Sequence, residues 1–279
     1  MPDLQTPTLI AAFQGWNDAG QGATTAIRYL IDTWHAKAFA RMNADDYYVF
    51  SETRPTIRIV DGTSRELSWP SPQFHWRKNQ PPVPDAVLLA GVEPNLRWSA
   101  FVTEIIDLAK TLGATRIVTA GALLTDAVHT RPVPLTGFST DPDVQTKFSA
   151  RNITRSNYEG PTGIVGVLHD ACRRAEMPAA SVWAGTPYYL GGTPNPKTAL
   201  GLLDALDDAL GLALNLTEMR AVAEEFEKQV SAAIPENPEL QERIEMLERR
   251  YDEQPQEFPP AGTIIADLEN FLRKQRDDN

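Results

Sequence analysis

The chain has one cysteine, Cys172. No disulfide can close within it, which suits a reducing compartment. Cationic side chains are in deficit: 26 Lys and Arg stand against 37 Asp and Glu, a formal net charge of -11. A surface that negative repels nucleic-acid phosphates and anionic lipid, so neither is expected as a partner. No apolar run approaches the roughly 20 residues that a membrane helix needs. Met1-Pro2-Asp3-Leu4 shows no basic segment leading into an apolar one, so no signal peptide is read and a cytoplasmic protein is expected. In that setting the sequons at Asn152 and Asn215 read as chance matches.

Catalytic and metal signatures are also scarce. The four histidines, His35, His75, His129 and His169, are scattered. There is no His-Glu-x-x-His and no Cys-x-x-Cys, so no metal site is expected. No Gly-x-Ser-x-Gly elbow presents a nucleophile. Cys172 falls at an apolar-periodic position of a helix and reads as a small core residue. No cofactor is expected.

What is present is an α/β rhythm. Thr8–Phe13 is a short apolar run, as in a strand buried on both faces. Ala23–His35 then shows helix spacing through Ala26, Ile27, Leu30, Ile31 and Trp34. The β-rich stretches 47–50, 56–60, 66–69 and 73–76 follow, with Asp61-Gly62 as a hairpin turn. They predict an antiparallel insertion over residues 47–80. Strands are then expected at 86–91, 116–121 and 180–185. Helices are expected at 98–112, 163–174 and from Asn195-Pro196 to Leu210. Residues 122–140 read as a long loop with room for one short strand. Strands alternating with helices predict a three-layer α/β sandwich with a mostly parallel sheet.

The tail changes character. Three amphipathic helices are predicted at 217–233, 237–251 and 263–273, the first two as a hairpin. The organisation expected is an α/β domain over 1–213 and a helical subdomain over 214–279. The apolar stripe of that hairpin packs on its own domain or on another subunit.

The loop Gly15-Trp16-Asn17-Asp18-Ala19-Gly20-Gln21-Gly22 is the most informative local feature. It joins a strand to a helix start, where backbone N–H groups can hold an anion. Gly15 and Gly20 have the spacing of a nucleotide P-loop, but Gln21-Gly22 stands where Lys-Ser/Thr is needed. The stronger reading is a tight turn with Asp18 or Asn17 capping the helix. In open α/β sheets ligands bind outside the carboxyl ends of the strands. The loops expected there carry Gly15, Trp16, Asn17, Asp18, Gly20, Glu93, Asn95, Trp98, Asp126, His129, Glu159 and Thr162. For each carboxylate the plain alternative is a helix or turn cap.

Several motifs taken in order resemble the PAC2 family, proteins similar to proteasome assembly chaperone 2, in its bacterial, actinobacterial-type branch. They are Gly15-Trp-Asn-Asp-Ala-Gly20, Glu93-Pro-Asn-Leu-Arg-Trp98, Gly121-Ala-Leu-Leu-Thr-Asp126, His129-Thr-Arg-Pro-Val-Pro134, Tyr158-Glu-Gly-Pro-Thr-Gly163 and Pro196-Lys-Thr-Ala-Leu-Gly-Leu-Leu203. The resemblance implies a sandwich like that of nucleoside phosphorylases and peptidyl-tRNA hydrolases with a C-terminal helical addition. It also implies oligomers, and a chaperone or adaptor with a protein partner, proteasome-related by resemblance. Some relatives use a C-terminal hydrophobic-Tyr-X tail, a pattern that Arg273–Asn279 does not show. A homo-oligomeric chaperone is the first expectation. The alternative is an enzyme or small-ligand binder at the strand-end loops, hydrolase- or phosphorylase-like or an ATP-dependent carboxylate–amine ligase. A purely structural oligomer built on the tail ranks third.

Overall fold

The computed structural model describes residues 1–253. The predicted helix at 263–273 lies outside the described residues. In chain order the strands are β1 (Thr8–Gln14), β2 (Lys37–Arg41), β3 (Thr56–Val60), β4 (Ser64–Ser68), β5 (Gln73–Arg77), β6 (Ala86–Val92), β7 (Arg116–Thr125), β8 (Leu135–Ser139) and β9 (Ala179–Pro187). The helices are α1 (Gly22–Thr33), α2 (Ala44–Tyr47), α3 (Trp98–Thr111), α4 (Pro142–Ala150), α5 (Ile164–Arg174), α6 (Pro196–Leu210), α7 (Thr217–Ala233) and α8 (Pro238–Glu253).

Seven strands form one sheet in the order β2-β5-β6-β1-β7-β9-β8. The central four, β6-β1-β7-β9, are parallel. The margins are antiparallel: β2 and β5 on one side, β8 on the other. The α/β sandwich expected from the sequence is what forms.

Strand alternation explains the layers. In β1, Leu9, Ala11 and Phe13 face one core, with α3 and α5. Ile10 and Ala12 face the other, with α1 and α6. β6 divides likewise, Val87 and Leu89 to the first side and Ala86 and Leu88 to the second. Each central strand is buried on both faces, hence its unbroken apolar run. Phe13, Phe101 and Tyr47 meet edge to face in the first core, at 5.8 and 5.2 Å. Cys172 on α5 lies wholly buried in the same core, where desolvation pushes its thiol up to about 12.

Four elements depart from expectation. Lys37–Arg41 forms an edge strand that was not anticipated, because such a strand needs no apolar run. The extended stretch expected at 47–50 does not form a strand: residue 47 ends the short helix α2, across whose first turn Asn43 donates to Asp46 at 2.9 Å. The anticipated short strand of the 122–140 loop is β8, while β7 itself runs four residues further than 121. Helix α4 had no counterpart among the expected helices; Asp141 caps it by accepting from Asp143 N and Val144 N, with Pro142 in its first turn. Of the β-rich stretch, β5 joins the main sheet, whereas β3 and β4 pair only with each other.

Candidate functional site

The carboxyl ends of β1, β6, β7 and β9 all lie at one edge of the sheet, since these strands are parallel. The β1 loop keeps pairing beyond its strand, with Ala122 N donating to Asn17 O at 2.8 Å. This holds Asn17 and Asp18 buried against β7.

Asp18 turns back onto α1. One carboxylate oxygen accepts from Ala23 N at 2.7 Å and Thr24 N at 3.2 Å, and the other accepts from the Thr24 hydroxyl. The free N–H groups of the helix start are therefore taken by the chain's own anion. Burial still pushes the Asp18 carboxyl above its ordinary range, opposed by those hydrogen bonds. The loop glycines serve packing. Gly20 has φ +58, and a Cβ there would press on Asn195 and Thr186. A Cβ on Gly22 would strike Thr198 of α6. The cap reading of Asp18 fits this geometry, and at the start of α1 the Ala23 and Thr24 N–H groups are already taken by that carboxylate.

Glu93, just past β6, makes a second clasp. Its Oε1 accepts from Asn17 Nδ2 and from Ile164 N, both at 2.7 Å. One oxygen thus ties the β1 loop, the β6 loop and the start of α5. Gly163 has to be glycine, because a Cβ would strike the Asn17 amide and Glu93. Asn17 Oδ1 is buried without a hydrogen-bond partner. Gly15, at φ +126, sits against Glu93 in the same clasp.

The other anticipated residues do not join it. Asn95 braces the segment after α2, its Oδ1 accepting from Val49 N and Thr53 Oγ1 at 3.0 Å each. Trp98 donates from its ring N–H to Pro94 O at 2.7 Å. Glu159 and Thr162 are exposed in the loop before α5. Trp16, in the loop after β1, is 42% exposed, and Leu96, in the loop after β6, is 47% exposed.

Asp126 and His129 belong to a second group, where the tail helices cover the ends of β7 and β9. Arg250 of α8 reaches Asp126 at 3.5 Å. Arg131 holds Asp252 through Nε and Nη2 at 2.9 and 2.8 Å, and lies 3.7 Å from Glu248. Those carboxylates raise the Arg131 guanidinium, chiefly through the Asp252 hydrogen bond. Val128, Ile244 and Leu247 form a small apolar seam beneath. His129 is buried, with Nδ1 2.7 Å from Tyr189 Oη and Nε2 3.1 Å from Ser231 Oγ. Burial lowers its pKa, countered by Glu227 and Glu248. Lys197 donates to His129 O and pairs with Glu227 of α7. The void left between His129, Lys197 and Phe226 is ≈10 Å³, the room of about one water. Sequence spacing gave no sign of Lys197, Tyr189, Glu227 or Asp252, because Tyr189, Lys197 and Asp252 meet His129 and Arg131 across 60 to 121 positions and Glu227 joins through Lys197, 30 positions away.

Among the described residues no group of three or more His, Cys, Asp or Glu is placed to hold a metal ion. No described helix is long and apolar enough to cross a membrane.

Comparison with known proteins adds a family to this geometry. The sequence profile of the PAC2 family matches residues 12–234. The chain belongs to the PAC2 family. Among solved structures, a PAC2 family protein from Streptomyces avermitilis is 39% identical with a TM-score of 0.77, covering 85% of this chain and 99% of that one. A proteasome-assembly chaperone homologue from Mycobacterium tuberculosis is 38% identical with a TM-score of 0.76, again over 85% and 99%. The archaeal proteasome activator PbaB from Pyrococcus furiosus shares the fold at 19% identity and a TM-score of 0.67, over 84% and 95%. No curated protein matches the chain. The PAC2 match spans both the Glu93 clasp and the start of the tail.

Proposed function

We propose that this PAC2 protein is a protein-binding chaperone, working as a cytoplasmic oligomer on subunits of a proteasome. The observation that supports it is how the strand-end edge is used. Two of the helix starts at this edge, those of α1 and α5, are occupied by the carboxylates of Asp18 and Glu93. Asp126 is engaged by Arg250, and the void beside His129 and Lys197 is ≈10 Å³. A small-molecule site is instead a concavity of hundreds of cubic ångströms. What the edge offers outward is apolar and raised: Trp16 and Leu96. Exposed tryptophan beside a rigid, hydrogen-bonded base is the chemistry of a protein contact. Kinship with a proteasome-assembly chaperone homologue supports the choice of partner.

The test is native mass spectrometry of the protein isolated gently from its own cells, beside a Trp16→Asp/Leu96→Asp variant. Proteasome α subunits are expected on the wild type and much reduced on the variant, whose thermal melt is unchanged. A wild-type chain carrying a small-molecule mass and no protein would overturn the proposal.

A further inference from the structure

The β3-β4 hairpin is inside out. Cross-strand register places Ile57 opposite Leu67, Ile59 opposite Arg65 and Arg58 opposite Glu66. Strand alternation therefore puts Ile57, Ile59, Arg65 and Leu67 on one face. Arg58 and Glu66 lie on the other, and with Arg41 and Gln73 of the sheet edge they line a groove of ≈170 Å³ that Leu67 and Trp69 also border. A hairpin serving only its own domain would turn its apolar face inward. Here Ile57 is 61% exposed, Ile59 69%, Leu67 49% and Trp69 46%. An isolated two-stranded sheet is marginal in water and gains from a cover.

We infer that this apolar face is a self-association surface, covered by the same face of a second copy of the chain. It rests on the oligomeric part of the proposed function and adds the surface and the symmetry. Three observations select a second copy. The first is charge. The chain carries -11, but residues 54–69 hold Arg54, Arg58 and Arg65 against Asp61 and Glu66, a local +1. Two copies can therefore meet at this nearly neutral segment without bringing the chain's excess negative charge into the contact. The second is register. Arg65 precedes Leu67 by two residues on β4, and Trp69 follows it by two, just past the strand, so a twofold axis placed through the Ile57–Leu67 pair would lay Arg65 of one copy over Trp69 of the other. That juxtaposes a guanidinium and an indole ring, a favourable cation–π pairing. The third is area. The four apolar side chains expose on the order of 450 Å². Interfaces are about 60% apolar, so a contact centred on them covers roughly 750 Å² per copy, close to a standard stable interface.

The experiment is light scattering of the full chain over a wide concentration range, for wild type, Ile59→Lys, Arg65→Glu and Ser64→Lys. All three substituted positions are exposed, so a thermal melt unchanged from wild type checks that each variant is folded. The wild type is expected to self-associate. Ile59→Lys, which buries an unpaired ammonium, weakens the association at least about tenfold. Arg65→Glu weakens it too, and Ser64→Lys, on the opposite face, leaves it unchanged. A wild type that stays monomeric overturns the inference, as does an Ile59→Lys variant of unaltered mass. So does a variant that keeps its mass but loses a foreign protein, which gives the face to that partner. A monomeric wild type would also remove the oligomer from the proposed function, whereas partner binding through Trp16 and Leu96 is tested separately, and a self-associating wild type with an unaltered Ile59→Lys mass overturns the present inference alone.

Discussion

Replacing Glu93 by alanine tests how the strand-end edge is held together. The carboxylate accepts two hydrogen bonds at 2.7 Å, from Asn17 and from the first N–H of α5. Asn17 is 1% exposed and already has one amide oxygen unpaired, so truncation strands its other amide group as well. A hydrogen bond to a charged acceptor contributes about 1.5–3 kcal/mol, and a buried polar group left unpaired costs about 1–3 kcal/mol. Glu93 is half-buried and water can replace part of the loss, so the lower ends apply. Glu93→Ala should cost about 2–4 kcal/mol, a large share of the roughly 5–15 kcal/mol that keeps a domain folded. Glu93→Gln keeps an accepting oxygen and gives up only the charge, so it should cost about 1 kcal/mol. Urea unfolding followed by circular dichroism measures both, and amide exchange at Ile164 reports the site itself. A Glu93→Ala change under about 0.5 kcal/mol, or equal losses for the two variants, would refute the clasp.

His169 of α5 sits 3.0 Å from Thr119 Oγ1 and is held down to about 4 by burial. The unfolded chain takes that proton near 6.5 and the native state refuses it until about 4, so its contribution is intact above 6.5 and lost as pH falls through that window, by up to about 3 kcal/mol. Urea titrations at several pH values should show the loss in wild type and a shallower one in His169→Gln; an NMR midpoint for His169 above 6 would contradict it. Arg131→Ala should loosen α8, since the Asp252 and Glu248 contacts are its main polar anchor. Limited proteolysis should cut α8 several-fold faster, and added salt should reproduce the effect in wild type; cleavage unchanged in both would refute the anchor.

The central strands were legible because burial on both faces leaves no choice of side chain: Leu9 to Phe13 and Ala86 to Leu89 are apolar at every position. Helix ends were legible where a cap lies next door, as with Asn195, whose Oδ1 accepts from Thr198 N at 3.0 Å. Marginal elements were not. β2 carries charged ends and a half-exposed middle, so it shows no period that separates it from a loop. The site was half legible. Asp18 as a cap acts within six positions of itself, a distance over which spacing carries information. Glu93 caps a helix 71 positions away, and Arg131 meets Asp252 across 121. Only the assembled sheet brings such groups together.

Cys172 offers a practical consequence. It is the chain's sole thiol, sealed between α5 and the sheet and protonated at any ordinary pH. An alkylating reagent finds no thiolate to attack while the fold is closed. Uptake of label therefore counts the moments when that seam parts, a stopwatch already built into the native chain. Any cysteine placed on the outside would be the one fast-reacting position, ready to carry a fluorophore or spin probe without first removing the natural one.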